Sequence, residues 1–327
     1  MRAIRIHRFG GPEELRCEEV AVPQPGEHEV LLRVHAAGLN YTDLGQRAGH
    51  MMGAPPLPFV PGLEAAGVVE AVGSAVRGLA AGTRVVATLP NQGGLAEYAV
   101  APAATVLAIP DALSFAQAVA LPAQGPTALL GLRLGAQLRG GESVFVPSAA
   151  GGVGTLLVQL ARALGAGRVI GAASRADKRA LVTRLGAAAT VDMADPAWPA
   201  QVREATEGRG ADVVFVAGGG AIAARSLEAL APRGRLVLFG ADCMFDTAWS
   251  REQMTGLLAQ NQSIVGFATF TLPLAERQAA LVEVLEWAAS GRIEPVIGQT
   301  FALAEVARAH EAMAARSTTG KVVVHVA

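Results

Sequence analysis

Residues 148–166 read SAAGGVGTLLVQLARALGA. They follow a short apolar run, SVFVP at 143–147, and Val153, Leu156, Leu157, Leu160, Ala161 and Leu164 fall at helical spacing on one face. A strand, a Gly-rich turn and an amphipathic helix in that order open a βαβ unit. Gly151 and Gly154 occupy the second and third glycine positions of a G-x-G-x-x-G turn. There a missing side chain lets a pyrophosphate approach the backbone and lets helix pack on strand. Ala149 stands at the first position, which the turn tolerates with modest adjustment.

From Glu142 onward the same rhythm repeats: RVIGAA is followed by DKRALVTRLG, DVVFVAG by AARSLEALA, and RLVLFG by REQMTGLLAQ. Strands that are apolar throughout, separated by helices, predict a parallel sheet covered on both faces, an α/β doubly wound fold. Upstream, from Met1 to about Leu89, the runs RAIRIH, EVLLRVHAAG, AGVVEAVG and TRVVATL alternate with Pro and Gly clusters and predict a β-rich domain. After SIVGFATF come a long helix at 274–290, a second helix around 306–315 and a last strand, KVVVHV, which is expected to return to the β-rich domain.

The bulk numbers set limits on partners. A chain of 327 residues, 51% hydrophobic and 17% charged, supports about two domains with a substantial core. Its formal charge of -1 and scattered Lys and Arg provide no field for nucleic acid or an anionic membrane, so neither is expected as a partner. Residues 1–19 lack the apolar core of a signal peptide and no later segment has membrane-spanning character, so the expected location is cytoplasmic. The two cysteines, Cys17 and Cys243, offer neither a disulfide framework nor a cysteine zinc site, and each reads as a small buried or half-buried residue.

The end of the second strand, RVIGAAS at 168–174, is where the fingerprint places an acid for the ribose 2′-hydroxyl. Ala173 stands there, followed by Ser174, Arg175 and, one helical turn on, Lys178. A hydroxyl and two cations suit a 2′-phosphate, so the expected cofactor is NADPH rather than NADH. The alternative, that Arg175 and Lys178 are merely solvated at a helix start, is weakened because cations are unfavourable at the positive end of a helix without an anion to meet.

Taken together, AAGLNYTDL (36–44), PFVPGLEAAGVVEAVG (58–73), GGLAEYAV (93–100) and the SAAGGVG turn resemble the medium-chain dehydrogenase/reductase superfamily, specifically its zinc-free quinone oxidoreductase, ζ-crystallin-like branch. The resemblance covers essentially the whole chain. It implies a GroES-like catalytic domain at residues 1–120 and 268–327 around a Rossmann cofactor-binding domain at 121–267, and a homodimer. Asn40 and Leu63 stand where the zinc-dependent alcohol dehydrogenases of the superfamily carry cysteine and histidine ligands, so no metal is expected.

Without zinc to stabilise an alkoxide, the acceptor must already be electron-poor. The resemblance therefore implies hydride transfer from NADPH to a quinone or an α,β-unsaturated carbonyl. The alternatives are a 2-alkenal or enoyl-thioester reductase, and a crystallin-like nucleotide-binding protein with little turnover. It also implies that Asn40 lines the nicotinamide site, with Tyr41 beside it as the other catalytic candidate, while Asp43 reads equally as a structural hydrogen-bonder. The implied cofactor-binding set is Asn40, Thr127, Ala150, Gly151, Gly152, Val153, Gly154, Ser174, Arg175, Lys178, Gly218, Gly240, Phe267, Ala268 and Lys321, with a surface role as the alternative for Lys321. The chain departs from relatives at Gln124 and Leu129, where many carry Lys and Tyr, and after Arg47 and Gly49, where His50, Met51 and Met52 replace a Tyr.

Overall fold

The structure is a computed structural model that describes residues 1–50, 55–240 and 247–326. Met51, Met52 and Cys243 lie outside the described residues. The chain divides into two compact units, Met1–Gln124 with Leu281–Gly291 and Pro295–Ala327, and Gly125–Ala280 with Arg292–Glu294.

The first unit is built on a seven-stranded sheet. Its long central strand, Glu29–Leu39, places Val30, Leu32 and Val34 at alternate positions in the core, the period-2 pattern of a strand with one buried face. It pairs antiparallel with Glu64–Val72, with Tyr98–Pro102 and with the closing strand Lys321–His325, where Val323 lies opposite Gly38. Helix Val306–Ala314 covers the core with Val306, Ala309 and Met313. Cys17 is exposed on the short strand Arg16–Glu19, which corrects its reading as a buried or half-buried residue: that strand pairs with Arg2–Arg5 in a separate two-stranded ribbon.

The second unit holds a six-stranded sheet, parallel throughout, in the order Ala189–Asp192, Arg168–Ala173, Ser143–Val146, Ala211–Val216, Leu230–Leu238, Ser263–Gly266. Numbered from the first strand of the unit this is 3-2-1-4-5-6, the dinucleotide-binding order, and its direction reverses beside Ser143–Val146. Ligands of such sheets bind at the carboxyl ends of the strands at that reversal. The helix Gly152–Ala163 buries Leu156, Leu157, Leu160 and Ala161, the face marked by the sequence.

Candidate active site

In the first unit Asn40 ends the strand Glu29–Leu39 and caps the helix Tyr41–Ala48. A capping asparagine ordinarily spends its side chain on the first-turn N–H groups. Here the carboxamide is engaged elsewhere: Nδ2 donates to Glu64 Oε1 at 2.8 Å, and Oδ1 accepts from Lys321 Nζ at 2.9 Å. Asp43 supplies the acidic half of a capping box, its Oδ2 accepting from the Asn40 backbone N–H at 2.7 Å, so the structural role read for Asp43 is present.

Lys321 Nζ also donates to Glu64 Oε1 in an ion pair whose two side chains are both 0% exposed. Glu64 Oε2 accepts from the Ala123 backbone N–H at 2.9 Å. One carboxylate thus ties together the end of one strand, the start of a second, the start of the closing strand and the 121–124 segment. Lys321 is not a surface lysine, because the closing strand carries it into the sheet. Asp43 beside this cluster is buried, and burial pushes its carboxyl up to about 7; the Asn40 N–H and Lys321 oppose the shift and the Glu64 charge adds to it.

Glu64, which holds both Asn40 and Lys321, is not among the residues expected from the sequence. A signal was there: Glu64 opens the strand EAAGVVEAV and Lys321 opens KVVVH, two opposite charges each leading an apolar run. Buried charges require partners, so such a pair is a candidate contact. Tyr41, at the first position of its helix, is exposed, as is His50 just beyond its end.

In the second unit, Ala150, Gly151, Gly152, Val153 and Gly154 form the turn into helix Gly152–Ala163, with Gly151 as its cap and no side chain on the first-turn N–H groups. Those N–H groups have no acceptor within the helix. A Cβ at Gly154 would lie 2.0 Å from the Ser148 carbonyl oxygen, so this glycine is demanded by the close approach of helix and strand. Such a bare, twelve-residue helix start fits a pyrophosphate.

Ser174 and Arg175 are exposed at the end of the strand Arg168–Ala173, whereas Lys178 is buried in the first turn of helix Ala176–Arg184. Burial, and then the neighbouring Arg175 charge, lower the Lys178 ammonium from its ordinary range. Arg175 is paired in two contacts of 2.9 Å with Asp177, an acid two residues on in the same helix start. Thr127 Oγ1 lies 3.3 Å from Thr269 Oγ1, beside Ala268, whose carbonyl accepts from Thr271 Oγ1. The backbone N–H of Phe267 donates to the Leu238 carbonyl, and its ring rests over Gly131 and Gly135. Gly240 packs where a Cβ would lie 1.9 Å from the Ala217 carbonyl oxygen, while at Gly218 a Cβ would meet open space. Among the described residues no group of three or more His, Cys, Asp or Glu is placed to hold a metal.

Two family models match the chain, an alcohol dehydrogenase GroES-like domain over residues 26–111 and a zinc-binding dehydrogenase over 152–290. The quinone oxidoreductase of Pseudomonas aeruginosa is 36% identical over 327 residues, covering 99% of each chain. The structure of Escherichia coli quinone oxidoreductase complexed with NADPH superposes with a TM-score of 0.90 at 30% identity over 100% of each chain. An NAD-dependent alcohol dehydrogenase superposes with a TM-score of 0.91 at 33% identity, again over 100% of each chain. With the 3-2-1-4-5-6 sheet, the glycine turn and the GroES-like match, these similarities show that the chain belongs to the quinone oxidoreductase branch of the medium-chain dehydrogenase/reductase superfamily.

Proposed function

We propose that this chain is an NADPH-dependent oxidoreductase that reduces a quinone or an α,β-unsaturated carbonyl without zinc. The observation that carries the reading is the Asn40 carboxamide, withheld from helix capping and held by a buried ion pair. One Nδ2 hydrogen goes to Glu64, and the other is the donor for an oxygen on which negative charge develops. Asn40 and Leu63 in the two ligand places leave charge stabilisation to such hydrogen bonds.

Bound NADPH supplies the hydride. The first-turn N–H groups of residues 152–154 hold the pyrophosphate, and Ser174, Arg175 and Lys178 hold the 2′-phosphate. Thr127, Phe267, Ala268, Gly218 and Gly240 line the cofactor, and Tyr41 stands beside Asn40 at the acceptor. In keeping with the family resemblance, the enzyme is a homodimer.

The test is NADPH oxidation against a panel of quinones, alkenals, enones and enoyl-thioesters, before and after chelation. Turnover of quinones or enones that survives the chelator is expected. Activity lost with the metal would overturn the zinc-free reading, and no turnover on any acceptor would favour a nucleotide-binding protein. Arg175→Ala with Lys178→Ala is expected to abolish the preference for NADPH over NADH.

A further inference from the structure

We propose that Glu64 is a positioning residue: with Lys321 it locks the Asn40 carboxamide in one orientation, so that Nδ2 rather than Oδ1 is turned to the reacting oxygen. The proposal rests on the role given to Asn40 above. The two ends of a carboxamide have nearly the same shape, and rotation by half a turn exchanges a donor for an acceptor. An asparagine held by packing alone would present either end.

The neighbours of Asn40 remove that ambiguity. An ionised carboxylate only accepts and an ammonium only donates, so Glu64 selects Nδ2 and Lys321 selects Oδ1. The reversed amide would set its oxygen against the Glu64 carboxylate and its NH2 against the Lys321 ammonium. Both side chains are fully buried, so no bulk water relieves either mismatch.

The lock itself is anchored. Glu64 Oε2 is held by the Ala123 N–H at 2.9 Å, and Gly38 leaves the space in which the ion pair sits, since a Cβ there would lie 2.6 Å from both Glu64 Oε1 and Lys321 Cε. A buried ion pair is weak support for stability, because apolar residues of similar volume often do as well. Orientation of the amide between the two charges is a task that apolar residues cannot perform.

The chain contains three asparagines, Asn40, Asn91 and Asn261, so selective ¹⁵N-asparagine labelling gives three side-chain NH2 pairs, and Asn40→Ala identifies one of them. Asn91 and Asn261 are exposed and serve as internal references. The variants are Glu64→Leu and, because that change strands the Lys321 charge, Glu64→Leu with Lys321→Met, which removes both charges together. In the wild type the two Asn40 amide protons should be widely separated and slow to exchange with solvent. In the variants they should move toward the reference pairs and exchange about tenfold faster or more, as for a group released from a buried hydrogen bond.

The same variants enter a double-mutant cycle with Asn40→Ala. Turnover should fall on the order of tenfold with Asn40 present and less than about twofold without it. An Asn40 amide signal unchanged in the double variant, or equal losses of turnover with and without Asn40, would overturn the proposal. If the wild type turns over no acceptor, the reading of the reaction fails, and the amide signals alone still decide the role of Glu64.

Discussion

At Gly38 a side chain is excluded by chemistry rather than by backbone conformation. The residue sits within a strand, and the atoms that a methyl group would meet are Glu64 Oε1 and Lys321 Cε, both 2.6 Å from its position. Gly38→Ala should therefore lower stability by about 1–3 kcal/mol, the usual range for overpacking, measured by urea denaturation, and should reduce turnover along with it. A variant as stable and as active as the wild type would show that the ion pair is not fixed there. Asn40 and Lys321 were legible in the sequence only through the family resemblance. Glu64 is legible only as a charge that leads an apolar run, because its partner Lys321 leads another such run 257 residues away.

His310 is a second buried group whose partner comes from far along the chain. It is 1% exposed, its Nδ1 faces Arg47 Nη1 at 3.2 Å, and burial, with the Arg47 charge second, pushes its imidazole down to about 3. The folded protein refuses a proton that the unfolded chain accepts below its ordinary value of 6.5. Stability should thus be unaffected by His310 above pH 6.5, fall as pH drops through the window from 6.5 to about 3, and lose up to about 5 kcal/mol, at ~1.4 kcal/mol per pH unit. Asp43, raised to about 7, acts in the opposite sense, favouring the folded state more as pH falls from 7 toward its ordinary 3.8. His310→Gln keeps an acceptor for Arg47 but does not titrate. Denaturant midpoints from pH 4.5 to 7 should be flatter for the variant than for the wild type; parallel profiles would refute the neutral buried imidazole.

At the scale of elements, the glycine missing from the 148–154 turn is compensated on the neighbouring strand. A Cβ at Gly171 would lie 2.9 Å from Ala149 Cβ and 2.3 Å from Val182 Cγ1, so the Ala149 methyl uses space that Gly171 leaves. Gly171→Ala should lower stability by about 1–3 kcal/mol, with Val182→Ala in the same chain recovering part of it in thermal unfolding. No recovery would mean that the strain lies in the turn itself. The helices and strands of this region were legible because apolar runs and helical spacing alternate cleanly. The four-residue strand Ala189–Asp192 was not, since its residues ATVD include a single buried side chain. The helix Tyr41–Ala48 was also hidden, because a polar eight-residue segment after a strand reads as a turn, and its start is marked only by Asp43 three residues beyond Asn40.

For the molecule as a whole, the doubly wound class could be read because a parallel sheet buries both faces and so marks its strands as continuous apolar runs. The return of the last strand, expected from KVVVHV alone, appears as the pairing of Lys321–His325 with Glu29–Leu39. What residue types alone do not settle at this scale is pairing: Asp177, two residues on in the chain, takes up the exposed Arg175 that is expected to meet the 2′-phosphate. A ligand that binds only the folded chain stabilises it by about 2.7 kcal/mol at one hundred times its dissociation constant, so cofactor choice is readable as a shift in the melting of the entire protein. NADPH should raise the melting temperature more than NADH at equal concentration. Asp177→Asn, which frees Arg175 and removes a nearby negative charge, should widen that gap by tightening NADPH roughly two- to tenfold. The exposed Arg175–Asp177 pair itself contributes little to folding, so the variant without ligand should melt close to the wild type. If Asp177→Asn leaves the NADPH shift unchanged, or enlarges the NADH shift equally, Arg175 does not meet a phosphate, and discrimination must come from Ser174 and Lys178.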